Sequence, residues 1–126
     1  MDIRIETGVK GREALVVQVE DTAARYGSGL VEVYATPALV ALMEKTCLTS
    51  VLEFLPEGHG TVGTRINVAH SKATPVGMRV VCESELVEVD RRRLVFAVVA
   101  RDEKGEIGRG THERFIIDTE KFMAKL

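Results

Sequence analysis

The sequence is poor in the residues that mark several common classes of protein. It has 126 residues, no tryptophan, three prolines and two cysteines, and aromatic residues make up 5% of it. The cysteines, Cys47 and Cys82, supply no disulfide framework and lack the paired spacing of a zinc site, so we expect no metal and a reducing, cytoplasmic setting. Few aromatic residues and a net charge of −2 also argue against nucleic-acid binding, which needs stacking surfaces and a basic field.

Long apolar runs are missing as well. No run approaches the roughly 20 residues of a membrane-spanning helix, and the charged N-terminal segment has no apolar core of a signal peptide. We therefore expect no membrane segment and no targeting sequence. Hydrophobic residues make up 45% of the chain and charged residues 29%, which is ordinary for a globular protein. Since this length suffices for one core but is short for two, we expect a single domain over residues 1–126.

The most distinctive stretch predicts a helix of about five turns over residues 35–56. Thr36 is predicted to cap it, Pro37 suits its first turn, and Pro56 marks its end. A helical period places apolar side chains on one arc, which comprises Val40, Ala41, Cys47, Leu48, Val51, Leu52 and Leu55. Glu44 falls in the middle of that arc. It is therefore either a functional carboxylate or half of a buried ion pair with an arginine from a neighbouring strand.

The rest of the chain reads mainly as strands and loops. Before the helix we expect a strand over residues 14–19 and a loop over 21–30, whose glycines lie where a lid would cover the helix start. After the helix, strict alternation predicts a strand over 62–70 that ends with His70 on the inward face. Three more strands joined by tight turns form an antiparallel meander, and a short helix or frayed tail closes the chain; the predicted strands span 78–89, 93–101 and 107–117.

One long helix followed by long antiparallel strands predicts an α+β domain in which a curved antiparallel sheet wraps a central helix, which is the hotdog fold. Long edge strands are usually covered or paired. We therefore expect a homodimer built through continuous sheet.

Six short motifs follow one another along the chain. They are ATP at 35–37, ALME ending at Glu44, VGT at 62–64, NVAH ending at His70, ATPVG at 73–77 and GxGTHER at 108–114. In this order and spacing they resemble the hotdog thioesterases of the fluoroacetyl-CoA thioesterase type, over about residues 33–122.

The resemblance implies hydrolysis of an acyl-CoA thioester to the free acid and thiol, with coenzyme A as part of the substrate and no separate cofactor. It assigns catalysis to Thr36, Glu44 and His70. It also implies that the backbone N–H of Gly63 meets the thioester oxygen and that Arg114 lies near the pocket.

The segment before the helix departs from this family. The fluoroacetyl-specific enzyme closes its pocket with phenylalanines there, whereas residues 26–33 here read YGSGLVEV. Gly27 and Leu30 stand where aromatic residues are expected, so we expect them to border a pocket for a short to medium acyl group rather than for fluoroacetyl alone.

Some assignments stay open at the level of sequence. Thr36 is explained equally well as a helix cap and as a nucleophile. Eight helical residues span about 12 Å, so Thr36 and Glu44 of one helix cannot touch, and either His70 or substrate bridges them or two subunits share a site. For the anionic nucleotide of coenzyme A, the available cations are Lys72 and the arginines at 91–93.

Two other functions compete with hydrolysis. A non-catalytic acyl-CoA binding module would keep the pocket but would not need both Glu44 and His70, so their joint presence favours the enzyme. A hydratase of the same fold would need an aspartate and a histidine close together, and the nearest such pair, His112 and Asp118, lies six residues apart.

Overall fold

A five-stranded antiparallel sheet curves around one long helix in the computed structural model, which describes residues 3–126. The sheet order is β1-β3-β4-β5-β2, so β1 and β2 form its two edges. The elements in chain order are β1 (Lys10–Val16), α1 (Ala23–Tyr26), α2 (Thr36–Val51), β2 (His59–His70), β3 (Arg79–Asp90), β4 (Arg93–Asp102), β5 (Gly105–Asp118) and α3 (Thr119–Ala124), with 3₁₀ turns at Val19–Asp21 and Leu52–Phe54. This is the predicted hotdog arrangement.

The core lies between α2 and the inner face of the sheet. The helix contributes Leu39, Met43, Cys47 and Val51, all fully buried. Alternate residues of the meander meet them, because successive side chains of a strand point to opposite faces; these include Val80, Cys82, Leu86, Leu94, Phe96, Ile107 and Ile116. In the part of the chain that the structure describes, no helix is long and apolar enough to cross a membrane.

The helix is shorter than predicted, and it turns a different face toward the sheet. It ends at Val51 and continues only as a 3₁₀ turn, and its buried residues are Ala38, Leu39, Leu42, Met43, Thr46, Cys47 and Val51. Leu52 and Ala41 of the predicted arc are exposed. The sequence of α2 is apolar over most of its circumference, so periodicity alone did not decide which side faces the sheet. Thr46 fits the buried face because its hydroxyl donates to the carbonyl of Leu42, 2.7 Å away.

Thr36 does not cap the helix, contrary to prediction. The residue at the N-cap is Ala35, and no side chain caps α2. Thr36 is already the first helical residue, so it does not occupy the position from which a side chain caps the orphan N–H groups.

The segment before α2 also differs from prediction. The first strand begins at Lys10, four residues earlier than expected, and the predicted loop contains the short helix α1. Thr22 caps α1 by accepting from the N–H of Arg25. Gly27 ends it in the left-handed conformation (φ 74°), which glycine adopts at little cost.

A β-bulge breaks the strict alternation expected along β2. The register with β5 shifts between Gly63 and Arg65, so one extra residue enters β2 there. Gly63 consequently faces inward, toward the buried side chains of His112 and Arg114. Ile66 and Val68 also pack against the core. The strict alternation predicted over 62–70 would place Gly63 and Ile66 on opposite faces, and it was wrong because a bulge reverses the alternation of all residues on one side of it.

Candidate active site

The end of β2 meets the start of α2. Thr36 Oγ1 and His70 Nδ1 share a hydrogen bond of 2.8 Å, although the two residues are 34 positions apart in sequence. They border a cavity of about 290 Å³, which Ser28, Tyr34 and Lys72 also line. Because Thr36 does not cap the helix, its hydroxyl is available to the imidazole.

The environment of His70 suits a general base. Burial lowers the pKa of His70 below its ordinary value of 6.5, outweighing the opposite effect of the nearby Lys72 backbone. The ring is therefore neutral at pH 7. Its Nε2 is buried and has no hydrogen-bond partner within residues 3–126. A neutral imidazole with a hydroxyl at one nitrogen and an unused second nitrogen can accept a proton from a nucleophile.

Lys72 borders the same cavity but is already paired. Its Nζ lies 2.9 Å from Asp102 Oδ1, and Asp102 also accepts from the hydroxyl of Thr74 at 2.9 Å and from the N–H of Lys104 at 2.8 Å. The carboxylate thus ties the loop after β2 to the turn between β4 and β5. Lys72 helps to hold this loop in place, and its charge is already balanced by Asp102.

A second group of polar side chains lies around Gly63. Glu44, Gly63, His112 and Arg114 form what we call the glutamate cluster. Arg114 Nη1 is 4.0 Å from Glu44 Oε2, and a Cβ placed on Gly63 would come within 2.9 Å of the same oxygen. The side chain of Glu44 is 41% exposed while that of Arg114 is 7% exposed. Glu44 therefore sits at the margin of the core rather than in the middle of a buried arc.

The two groups are separate within one subunit. His70 and Gly63 lie on the same strand, seven residues apart, which is about 23 Å of extended chain. Thr36 and Glu44 lie two turns apart on α2, about 12 Å along the axis. The predicted residues Thr36 and His70 are thus brought together, and so are Glu44, Gly63 and Arg114, but the first group does not meet the second.

The remaining predicted site residues lie away from the Thr36 cavity. Gly27 ends α1, and Leu30 is 97% exposed; Ser28, between them, does line the cavity. Among the predicted cations, Arg93 pairs with Glu88 at 2.7 Å and with Glu113 at 2.9 Å. Arg92 instead borders a groove of about 380 Å³ beside α3, together with Lys121 and Lys125.

The structure also revises His112, which entered the sequence analysis only as a possible partner of Asp118. Its ring is 1% exposed, and its nitrogens contact Arg65 and Arg114. Asp118 instead caps α3 by accepting from the N–H of Lys121. The signal available in sequence was the alternation of His112 and Arg114 on one face of β5. Within residues 3–126, no group of three or more His, Cys, Asp or Glu side chains is placed to hold a metal ion.

Comparison with known families decides the class of protein. The family model described as fluoroacetyl-CoA-specific thioesterase matches residues 17–120. The chain belongs to the fluoroacetyl-CoA thioesterase family. This confirms the resemblance found in the sequence motifs and identifies the chain as a hotdog thioesterase.

Individual members of this family and its superfamily agree with the assignment. The fluoroacetyl-CoA thioesterase of Streptantibioticus cattleyicolor is 47% identical over 95 residues, which cover 75% of this chain and 68% of that protein. A threonine-to-serine variant of a fluoroacetyl-CoA thioesterase, solved with acetyl-CoA, matches with a TM-score of 0.91 at 38% identity over 96% of both chains. A thioesterase superfamily member from Thermus thermophilus matches with a TM-score of 0.89 at 31% identity, over 97% of this chain and 90% of that one.

Proposed function

We propose that this thioesterase hydrolyses short acyl-CoA thioesters, and that Thr36 and His70 carry out the proton transfer. The observation that carries the proposal is the 2.8 Å hydrogen bond between Thr36 Oγ1 and the neutral imidazole of His70, at the wall of a cavity. The family's substrate class adds to it: a relative of the same fold was solved with acetyl-CoA.

In the proposed reaction, His70 removes the proton from the attacking oxygen, which belongs to Thr36 or to a water molecule. That oxygen bonds to the thioester carbon, the C–S bond breaks, and His70 returns the proton to the departing coenzyme A thiolate. If Thr36 attacks, water then releases the acyl group by the same proton transfers. The negative charge that develops on the carbonyl oxygen needs a donor, for which we propose the backbone N–H of Gly63.

We propose a homodimer, because one subunit does not bring its own Glu44 and Gly63 to His70. The outer edge of β2 is unpaired within residues 3–126, and an exposed edge strand invites pairing with a second copy. Antiparallel pairing of two β2 strands about a two-fold axis at Asn67, with the bulged Thr64 left out of the register, sets His70 opposite the partner subunit's Gly63. Glu44 of the partner subunit would then lie near the imidazolium that forms during the reaction.

Substrate selection is proposed to lie in the segment before α2. Gly27 and Leu30 stand where the fluoroacetyl-specific enzyme is expected to carry aromatic side chains, and neither fills the cavity at Thr36, so we expect acyl groups larger than acetyl to be accepted. For the nucleotide of coenzyme A we favour Arg91 and Arg92, because Arg93 and Lys72 are engaged in ion pairs.

Both cysteines are free and buried, which supports a reducing, cytoplasmic setting.

The test is a thiol-release assay with acetyl-, propionyl-, butyryl- and fluoroacetyl-CoA. We expect comparable turnover of the first three, since an open pocket does not exclude the added methylenes; a tightly filled pocket would discriminate by about 1–3 kcal/mol, or about 10- to 200-fold, per methylene. A strong preference for fluoroacetyl-CoA over acetyl-CoA would contradict the proposed role of Gly27 and Leu30. Calorimetric binding of acyl-CoA without thiol release would instead identify a binding module.

A further inference from the structure

The proposed reaction leaves a buried histidine without a role. His112 lies on the inner face of β5, with the Phe96 ring 6.5 Å from its own ring centre to centre. Its Nδ1 is 2.7 Å from the carbonyl oxygen of Arg65. A carbonyl only accepts hydrogen bonds, so Nδ1 carries the proton.

The contact made by the other ring nitrogen shows that His112 is uncharged. Nε2 lies 3.0 Å from Arg114 Nη1, and a guanidinium only donates. Nε2 must therefore be an unprotonated acceptor, and His112 is neutral. Burial, together with the positive charge of Arg114, lowers the pKa of His112, outweighing the opposite effect of its bond to Arg65.

Arg114 is oriented by three such contacts. Besides His112, it donates from Nε to the hydroxyl of Thr61 at 2.7 Å and from Nη2 to the carbonyl of Thr61 at 3.0 Å. Thr61 of β2 fixes the Nε and Nη2 edge of the planar guanidinium, and His112 takes one of the two N–H groups of Nη1. The other N–H of Nη1 is left on the side of Glu44 and Gly63.

This geometry is not that of an ordinary structural ion pair. A closed arginine–carboxylate pair has donor–acceptor distances of about 2.7–2.9 Å, whereas Arg114 Nη1 is 4.0 Å from Glu44 Oε2. Arg114 is thus a buried cation held mainly by neutral groups, with donor capacity left over on the side that faces Gly63.

We propose that His112 is a positioning residue for the thioesterase reaction. As a neutral acceptor it holds the Arg114 guanidinium so that the remaining Nη1 donor faces Glu44 and the place beside Gly63 where the thioester carbonyl is proposed to lie. The inference rests on the proposed function, and it assigns His112 no contact with the substrate itself.

Two amide substitutions test the contacts of the two His112 nitrogens one at a time. His112→Gln places its amide at about the reach of Nε2 and can still accept from Arg114. His112→Asn reaches only about as far as Nδ1, so it keeps the contact with Arg65 and loses the one with Arg114. Phe96→Leu is the control, because it loosens the packing around the ring and leaves all its hydrogen bonds in place.

With acetyl-CoA as substrate, we expect His112→Asn to lower kcat by about tenfold or more, as small misplacements of active-site groups do. His112→Gln should recover most of kcat, and Phe96→Leu should keep it even if the melting temperature falls. In an Arg114→Lys background, His112→Asn should add little, because residues that act through one another are not additive. Equal kcat in His112→Asn and the parent, or a full additional loss in that background, would overturn the proposal.

A measurement that does not depend on turnover accompanies the kinetics. Rotation of the Arg114 guanidinium, followed by nitrogen-15 NMR, should be slow in the parent and in His112→Gln and measurably faster in His112→Asn, where only the two contacts with Thr61 remain. Equal rotation rates in all three proteins would overturn the role of His112 whatever the kinetics show. A parent that hydrolyses no acyl-CoA would refute the proposed function, while the rotation rates would still decide whether His112 holds Arg114.

Discussion

At the scale of single residues, Thr36 shows how a shift of one position changes a role. A threonine before a proline is a good helix cap in sequence, and a capping hydroxyl is occupied by backbone N–H groups. Here the helix begins at Thr36 itself, with Ala35 at the N-cap. The hydroxyl of Thr36 is therefore free to bond to His70, and the two interpretations that sequence left open are no longer equal.

The first prediction concerns His70 and Glu44. If they act in one proton-transfer unit, His70→Ala and Glu44→Gln should each lower kcat by about 100-fold. The double variant should be little worse than the poorer single variant. Matched controls are His59→Ala, on the same strand but outside the cavity, and Glu53→Gln, an exposed carboxylate after α2; both should keep parental kcat.

Thermal unfolding of Glu44→Gln distinguishes function from structure at the same residue. Its carboxylate is 41% exposed and 4.0 Å from Arg114, so the substitution should change the free energy of unfolding by less than about 1 kcal/mol. Parental turnover together with a large fall in melting temperature would mean that Glu44 serves only as the partner of a buried arginine.

At the scale of elements, the bulge in β2 is the feature on which the glutamate cluster depends. It turns Gly63 inward, where any side chain would have to displace the Glu44 carboxylate, since a Cβ would lie 2.9 Å from Glu44 Oε2. Without the extra residue, Gly63 would face outward and the inner face would present Thr64 instead.

The second prediction tests this crowding with a pair of glycines on β2. An alanine Cβ at Gly63 would lie 2.9 Å from Glu44 Oε2 and 3.2 Å from His112 Cε1, whereas one at Gly60 would meet nothing closer than Thr119 Oγ1 at 3.8 Å. Gly63→Ala should displace the flexible Glu44 carboxylate and lower kcat by about tenfold or more. Gly60→Ala should have parental kcat, and equal activity of the two variants would remove Gly63 from the site.

At the scale of the whole molecule, one subunit leaves the two groups of proposed site residues apart, and the proposed dimer would bring them together. Thr36 and His70 lie at one end of β2, and the glutamate cluster lies around Gly63, seven residues back along that strand. A two-fold axis across the free edge of β2 would bring the first group of one subunit to the second group of the other. The same pairing would cover an edge that is otherwise open to aggregation.

The third prediction follows from a site shared between subunits. His70→Ala and Glu44→Gln should each be nearly inactive alone, but mixing and re-equilibrating the two should restore activity. Half of the randomly formed dimers are mixed, and each has one of its two sites intact, so about a quarter of parental activity is expected. Sedimentation equilibrium should give a dimer of 13.8 kDa chains. A clean monomer, or no recovery on mixing, would rule out the shared site.

The sequence by itself determined the fold class and the family. Turn residues and alternation set the meander over β3, β4 and β5 to within a few residues, because strand period and turn chemistry are local properties of the chain. The order and spacing of the six motifs identified a hotdog thioesterase, and the family match confirmed it. Thr36, Glu44 and His70 were also selected from sequence, and their catalytic roles remain predictions.

Only the tertiary structure decided how these residues meet. The face of α2 that is buried depends on how the helix rolls against the sheet, which a nearly uniform apolar helix does not specify. The inward turn of Gly63 depends on a bulge, which involves the pairing of β2 with β5 and leaves no periodic trace. The bonds from His70 to Thr36 and from His112 to Arg114 depend on the docking of elements and on ring orientation, and local sequence patterns contain neither.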